Sequence, residues 1–405
     1  MFLGVVLLSA CSKDDGKTAM QPLATANRTV IVYMAAENNL STFATLNLTD
    51  MAEGSRDMPD SCHLVAFIDM ADRTQLPYVA EISRGIIRKD SLYQTSSDGL
   101  TSDAEYMYRT LKWIVERYPS KEYALVLWGH ADGWIIASDS VANTLSKSAP
   151  LRKAYGIDTG NNSMGTWGKW MNIPSMAKAL ARLPKMKFIF SDCCCFQCVE
   201  SAYELKDVCE YLIGSPAEIP AAGAPYAQIT PLFFSQKENF YESIADCYNS
   251  VSYNGYHTPI SALRTSEMEA LAQATRKVLP QLLSGGEDPI TKNVIYYFGF
   301  PQNPIMYDMN DLMLANLDPD SYREWKQAAD RVSVYRKVNG PWVSEDNVDF
   351  SQFTISEEKY GGMSMFVPLK RYDRNGNSYN TTIRQMGWYH AVGMGDVLTL
   401  QDRAS

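Results

Sequence analysis

Met186-Lys187-Phe188-Ile189-Phe190-Ser191-Asp192-Cys193-Cys194-Cys195-Phe196 is the stretch on which the reading of this chain turns. A short apolar run closed by Ser-Asp fits a buried strand, and three consecutive cysteines leave its carboxyl end. A second such run, residues 123–128, passes straight into Gly129-His130. Only four histidines occur in 405 residues, so composition alone poorly explains one at a strand end beside a turn signal. A histidine and a cysteine delivered by neighbouring strand ends can meet and make an activated thiol.

Working outward, apolar strand patterns at residues 29–35, 63–69, 123–128, 186–190 and 211–214 alternate with helical ones, which predicts an α/β fold around a mostly parallel sheet. Residues 78–82 read as an added strand. Residues 102–118 put Ala104, Met107, Leu111, Ile114 and Tyr118 on one helical face. A further helix opens at Asn172, with Pro174 in its first turn, and leads into the cysteine strand as a βαβ unit. Past residue 230 come helical stretches at 232–250, 266–283 and 320–337 and a strand at 363–367. The polar segment 138–168, carrying Lys147, Arg152 and Lys153, is long enough to imply a functional or mobile connection.

A chain with 46% hydrophobic and 20% charged residues has material for a full core, and its net charge of −9 argues against a nucleic-acid partner. The first eleven residues stand apart. An apolar run too short to span a bilayer ends in Leu8-Ser9-Ala10-Cys11 and switches to Ser12-Lys13-Asp14-Asp15. This resembles a bacterial lipoprotein signal, in which Cys11 would be lipidated; stable anchoring needs more than one acyl chain. The expected organisation is a signal over 1–11, a polar tether over 12–27, a catalytic core over 28–230 and a C-terminal helical and mixed extension of the same unit over 231–405. The expected location is lipid-anchored to the outer membrane; the acidic residues behind Cys11 resemble export signals that carry some lipoproteins to its outer face, which leaves surface exposure as a further option. The other seven cysteines are an odd number, and five crowd between 193 and 209, which is not the spacing of a disulfide scaffold.

In open α/β sheets ligand sites lie beyond the carboxyl ends of the strands, where His130 and residues 192–195 fall. An imidazole, together with the N-terminus of a helix expected over 196–205, would favour thiolate, and proton delivery by histidine typically contributes roughly 10²–10⁴ in rate. The implied reaction is acyl transfer through a thioester. The run from Asp192 through Phe196, continued by Val199-Glu200-Ser201-Ala202-Tyr203-Glu204-Leu205, resembles the clostripain family's Asp-Ala-Cys-Leu-Met and Val-Glu-x-Ala-Tyr-Glu-Leu. Trp128-Gly129-His130-Ala131-Asp132-Gly133-Trp134 is similar to its histidine motif. Val30 to Leu40, including Glu37-Asn38-Asn39, is similar to its first strand and turn, with softer echoes at 261–263, 307–312 and 362–368.

The resemblance implies a caspase-like three-layer α/β/α sandwich and a cysteine endopeptidase cutting after Arg or Lys. Cys194 would be the nucleophile and His130 its partner. The amides of Ala131 and Cys194 would form the oxyanion hole, and Asp192 would face the basic P1 side chain. Self-cleavage falls at Lys147 as first choice, with Arg152 and Lys153 in the same loop. Substrates are proteins or peptides, and the membrane is met through the lipid anchor. No cofactor is required; the resemblance allows calcium, although no acidic loop has recognisable ligand spacing and no metal-binding residue is assigned.

This chain departs from the family at Ala131, which replaces a glycine, at Cys193 and Cys195, and in Glu218-Ile219-Pro220-Ala221-Ala222-Gly223-Ala224-Pro225-Tyr226, which lacks the family's first glycine and its tryptophan. Those departures sustain an alternative, a catalytically silent surface lipoprotein. A third reading is metal or redox chemistry on Cys195-x-x-Cys198, which lacks a second Cys/His pair or a thioredoxin-like setting. His63, His257 and His390 are read as hydrogen-bonded structural or surface residues.

Overall fold

The computed structural model describes residues 23–398 except 73, 97, 137–153, 161–167, 284–287, 301–302, 346–347 and 375–377. Cys11, Lys147, Arg152 and Lys153 therefore lie outside the described residues. Nine strands form the main sheet: β1 (Ala26–Ala36), β2 (Cys62–Met70), β3 (Tyr78–Ser83), β4 (Ile86–Lys89), β5 (Ser120–Trp128), β6 (Met186–Asp192), β7 (Cys209–Gly214), β8 (Ile260–Arg264) and β9 (Ser333–Lys337). Their order is β9-β8-β7-β6-β5-β1-β2-β3-β4. The middle five, β7 to β2, pair in parallel, and the strands flanking them at either side pair antiparallel.

The parallel centre follows from strands that are apolar on both faces, because each face must be covered. In β1, Ile31, Tyr33 and Ala35 enter one core while Val30, Val32 and Met34 enter the other. The first core is closed by α2 (Ala104–Arg117), whose Met107, Leu111 and Ile114 form the expected stripe, and by α3 (Ile173–Leu180) and α4 (Val199–Glu204). Asp103 caps α2, its carboxylate accepting from Tyr106 N–H at 2.7 Å. The opposite core is closed by α1 (Ser41–Gly54) and α5 (Phe240–Ser250). The result is an α/β fold of three layers.

Four local expectations are corrected. The helix expected over 196–205 begins only at Val199, because Cys195 N–H and Gln197 N–H are spent on Ala217 O (2.8 Å) and Ser215 O (3.0 Å) of the loop after β7. The helix expected over 320–337 stops at Val332, and Ser333–Lys337 pairs with β8 as an edge strand. Its Val-Tyr centre suits a half-buried pleated surface. Of residues 232–250, only Phe240–Ser250 is α-helical, preceded by a 3₁₀ turn at Thr230–Phe234. Of residues 363–367, only Ser364–Met365 is a strand, in a small antiparallel sheet with Tyr296–Phe300 and Asn303–Asp308. The chain beyond 230 thus contributes both to that small sheet and to the main one.

From β1 the chain moves outward to β2, then crosses back to place β5 on the other side of β1. The strand order reverses between β1 and β5, the position at which open α/β sheets leave a crevice at their carboxyl edge.

Candidate active site

Met34, Trp128 and Asp192 are direct register partners across β1, β5 and β6, so the loops leaving these strands start level with one another. They carry Asn39, His130 and Cys194. Gly129 makes the departure from β5 tight: its φ is +144°, and a Cβ there would lie 3.0 Å from Ala35 O. His130 is then pinned by its own carbonyl, which accepts from Gly156 N–H at 2.8 Å. Its Nε2 bonds Asn39 Oδ1 at 2.6 Å. With that oxygen as acceptor, Nε2 carries the proton and Nδ1 keeps its lone pair. Desolvation in the crevice pulls the half-buried imidazole down to about 4, which keeps the ring neutral at neutral pH.

Cys194 sits on a sharp turn whose next residue, Cys195, has φ +55°, a conformation that costs a residue with a Cβ roughly 1–2 kcal/mol. The turn is held by the Cys195–Ala217 hydrogen bond. Cys194 Sγ accepts from Ile219 N–H at 3.4 Å. Burial pushes this thiol well up, and the carboxylate of Glu218, then those of Asp132 and Glu345, push in the same direction. The expectation of a thiolate supported by a helix N-terminus is therefore corrected. The helix starts too late, and the surrounding charge is negative, so thiol and neutral imidazole form the resting state.

Asp192 is 3% exposed. Ala224 N–H reaches both carboxylate oxygens at 3.1 Å, Tyr226 Oη donates to Oδ2 at 2.8 Å, and Tyr248 Oη donates to Oδ1 at 2.7 Å. Burial raises its pKa, and these donors work against that rise. Among the described residues no Lys or Arg pairs with it. His130, Ala131, Asp192, Cys194, Glu218 and Trp170 border one cavity of about 390 Å³.

The departures from the motif become intelligible in this geometry. Ala131 lies outside the left-handed region, so its Cβ is accommodated without backbone strain. Gly223 has φ +69°, and a Cβ there would stand 2.6 Å from Asp192 Oδ2. Ala221, where the motif has another glycine, needs no such φ. Cys193, Cys195 and Cys198 are fully buried, and all seven described cysteines are free thiols. Cys193 Sγ donates to Leu127 O and Cys198 Sγ to Ser201 Oγ, each at 3.1 Å, so these two thiols serve separate local acceptors. His63, His257 and His390 bond Glu81, Asn249 O and Arg384 O at 3.1, 2.8 and 2.8 Å, in the structural manner expected.

Sequence reasoning assigned no role to Asn39, Tyr226, Tyr248 or Trp170. Asn39 lay inside a quoted motif, but nothing local points it at a histidine 91 residues away.

The sequence profile of the clostripain family, peptidase C11, matches residues 32–368. No curated protein sequence matches. A secreted C11 cysteine protease from Bacteroides thetaiotaomicron, solved with an irreversible peptide inhibitor, superposes with a TM-score of 0.71 at 25% identity, covering 92% of this chain and 100% of that one. An inactive zymogen C11 protease from Parabacteroides distasonis shares the fold with a TM-score of 0.71 at 24% identity over 91% and 99% of the two chains. A B. fragilis cysteine protease is 30% identical over 59% of this chain and 96% of its own, with a TM-score of 0.51.

Proposed function

Because the chain belongs to the clostripain family of cysteine peptidases, we propose that it cleaves peptide bonds after Arg or Lys, with Cys194 as nucleophile, His130 as base and acid, and Asp192 beneath the P1 side chain. The supporting observation is that these three residues border one cavity, at whose wall Asp192 holds a carboxylate met by dipoles and by no described cation. A P1 guanidinium or ammonium would supply the missing charge.

In this reading His130 Nδ1 takes the thiol proton as Cys194 Sγ attacks the scissile carbonyl. The amides of Ala131 and Cys194, which have no hydrogen-bond partner among the described residues, are free to receive the oxyanion. Collapse to the thioester expels the amine, which leaves with the proton held by His130. Water, deprotonated by the same ring, then releases the acid. This chemistry calls for no cofactor. Asn39 acts as a positioning residue by holding Nε2.

The neutral resting pair, set among Glu218, Asp132 and Glu345, favours a latent site over an open one. Self-processing at Lys147 fits that latency, since its loop departs after Ile136 and returns at Ala154, both buried. A silent surface lipoprotein is the competing reading supported by the same raised thiol. Export with lipidation at Cys11 accords with the secreted nature of the Bacteroides thetaiotaomicron neighbour.

Under reducing conditions the full chain should release fluorophore from Arg and Lys peptides, and Cys194→Ala should not. Equal activity in that variant would sink the dyad. A chloromethyl ketone with Lys at P1 that labels wild type but not Cys194→Ala would exclude the silent reading.

A further inference from the structure

We propose that Glu37, Asp69 and Asp98 form a binding site for a calcium-sized divalent cation, beside the turn that carries Asn39. Glu37 directly follows β1, and Asp69 lies near the end of β2 as the register partner of Ala35. One carboxylate oxygen from each of Glu37, Asp69 and Asp98 lies within 4.8 Å of the others. Three protein carboxylates suit calcium, which takes several oxygen ligands in flexible geometry, whereas magnesium ordinarily keeps several waters and takes only one or two carboxylates.

A second observation concerns Asp69 itself. It is 1% exposed, and its Oδ2 is buried with no hydrogen-bond partner. Among the described residues no Lys or Arg pairs with Asp69; a side-chain hydrogen bond from Thr101 favours its charged form, and the charged groups acting on it, Glu37, Asp98 and Asp158, are all acidic. A buried carboxylate is ordinarily paired, hydrogen-bonded or on a metal. Asp158 is not available as a ligand, because Oδ2 accepts from Thr101 N–H at 3.0 Å and Oγ1–H at 3.3 Å, and Oδ1 from Gly160 N–H at 3.1 Å. It adds to the negative field instead. Exposed Asp98 leaves a route for an ion to enter.

The site joins elements that lead to the crevice. Glu37 O accepts from Thr159 N–H at 3.0 Å and Oγ1–H at 2.7 Å, and Asn38 Nδ2 donates to Ala35 O and Ile157 O at 2.9 Å each. The next residue, Asn39, bonds His130. A cation drawing Glu37 toward Asp69 and Asp98 would brace this turn against β2. None of the three ligands borders the Cys194 cavity, so the proposal and its test do not depend on the peptidase reading.

The test is calorimetric titration of the chelator-treated full chain with calcium chloride and, separately, magnesium chloride, alongside thermal unfolding with and without calcium. One saturable calcium site, a higher Tm in calcium and weaker magnesium binding are expected. Asp98→Asn, an exposed change that leaves the core intact, should weaken calcium binding at least about tenfold. Asp69→Asn should remove the calcium-dependent Tm rise. An absence of both heat and Tm shift in wild type, magnesium binding as tight as calcium, or undiminished affinity in Asp98→Asn would each overturn the site.

Discussion

Asp192 and Asp69 both belong to strands of the main sheet, both are almost fully buried, and the fold treats their charges in opposite ways. Asp192 is surrounded by donors: a backbone amide and two tyrosine hydroxyls converge on it. Asp69 has the Thr101 side chain as a donor but otherwise faces carboxylates, and burial with Glu37, Asp98 and Asp158 pushes it up to about 9. Dipoles let a buried carboxylate stay charged while leaving its net charge uncancelled, which suits a group that must attract a substrate cation. Acidic neighbours make a charged state costly unless a cation joins them. The same residue type, at the same sheet edge, thus serves two different kinds of recognition.

The largest expected effect breaks that contrast on the substrate side. Asp192→Asn should lower kcat/KM for Arg and Lys peptides by about 10²-fold, the loss of a charge-assisted contact, and affect a neutral P1 residue far less. Equal losses on both would remove Asp192 from recognition.

Stability offers the next comparison, measured by urea unfolding in chelator at neutral pH. Asp192→Asn should cost about 1–3 kcal/mol, because an amide NH₂ would meet a hydroxyl donor and leave it unsatisfied. Asp69→Asn should be close to neutral, since a carboxyl pushed up to about 9 is already uncharged at neutral pH without a cation and the amide replaces one uncharged group by another. Destabilisation of the same size at both positions would show that the two carboxylates are not held differently.

His130 extends the comparison to a base. Its folded pKa is lowered to about 4 from 6.5 by desolvation, so the neutral form is the one present at neutral pH. The acid limb of kcat/KM should therefore fall well below pH 6.5, toward 4. Over that same window the unfolded chain takes up a proton that the folded chain refuses, and the contribution of this residue to stability declines as pH falls. An acid limb at the ordinary histidine value would show that the ring is solvated in the working enzyme. The smallest effect is expected for Tyr248→Phe, about 1 kcal/mol of stability for one hydroxyl lost from Asp192, with kcat/KM for basic substrates reduced and kcat nearly kept.

Much of the parallel core was legible because buried strands carry their own signature, an apolar run of limited length closed by turn residues. β1, β2, β5, β6 and β7 were each recognisable within a few residues. Segments whose fate depends on partners were not. Residues 196–198 read as helix until the loop after β7 takes up two of the neighbouring amides, and residues 333–337 read as helix until β8 offers a strand to pair with. In the site, His130 and Cys194 stood out because their strand ends are local features. Asn39, Tyr226 and Tyr248 did not, because each acts on a residue 34 to 91 positions away. The acidic cluster was missed for the same reason: Glu37, Asp69 and Asp98 have no ligand spacing along the chain and meet only when β1 lies beside β2.

By itself, then, the sequence determined the layered α/β architecture, the family, and the two strand ends that carry histidine and cysteine, since periodicity and motif are properties of neighbouring residues. Tertiary structure alone decided the ionisation of those groups and what Asp192 and Asp69 face. Desolvation and charge–charge interaction depend on distance in space and on water excluded, and neither is written into spacing along the chain.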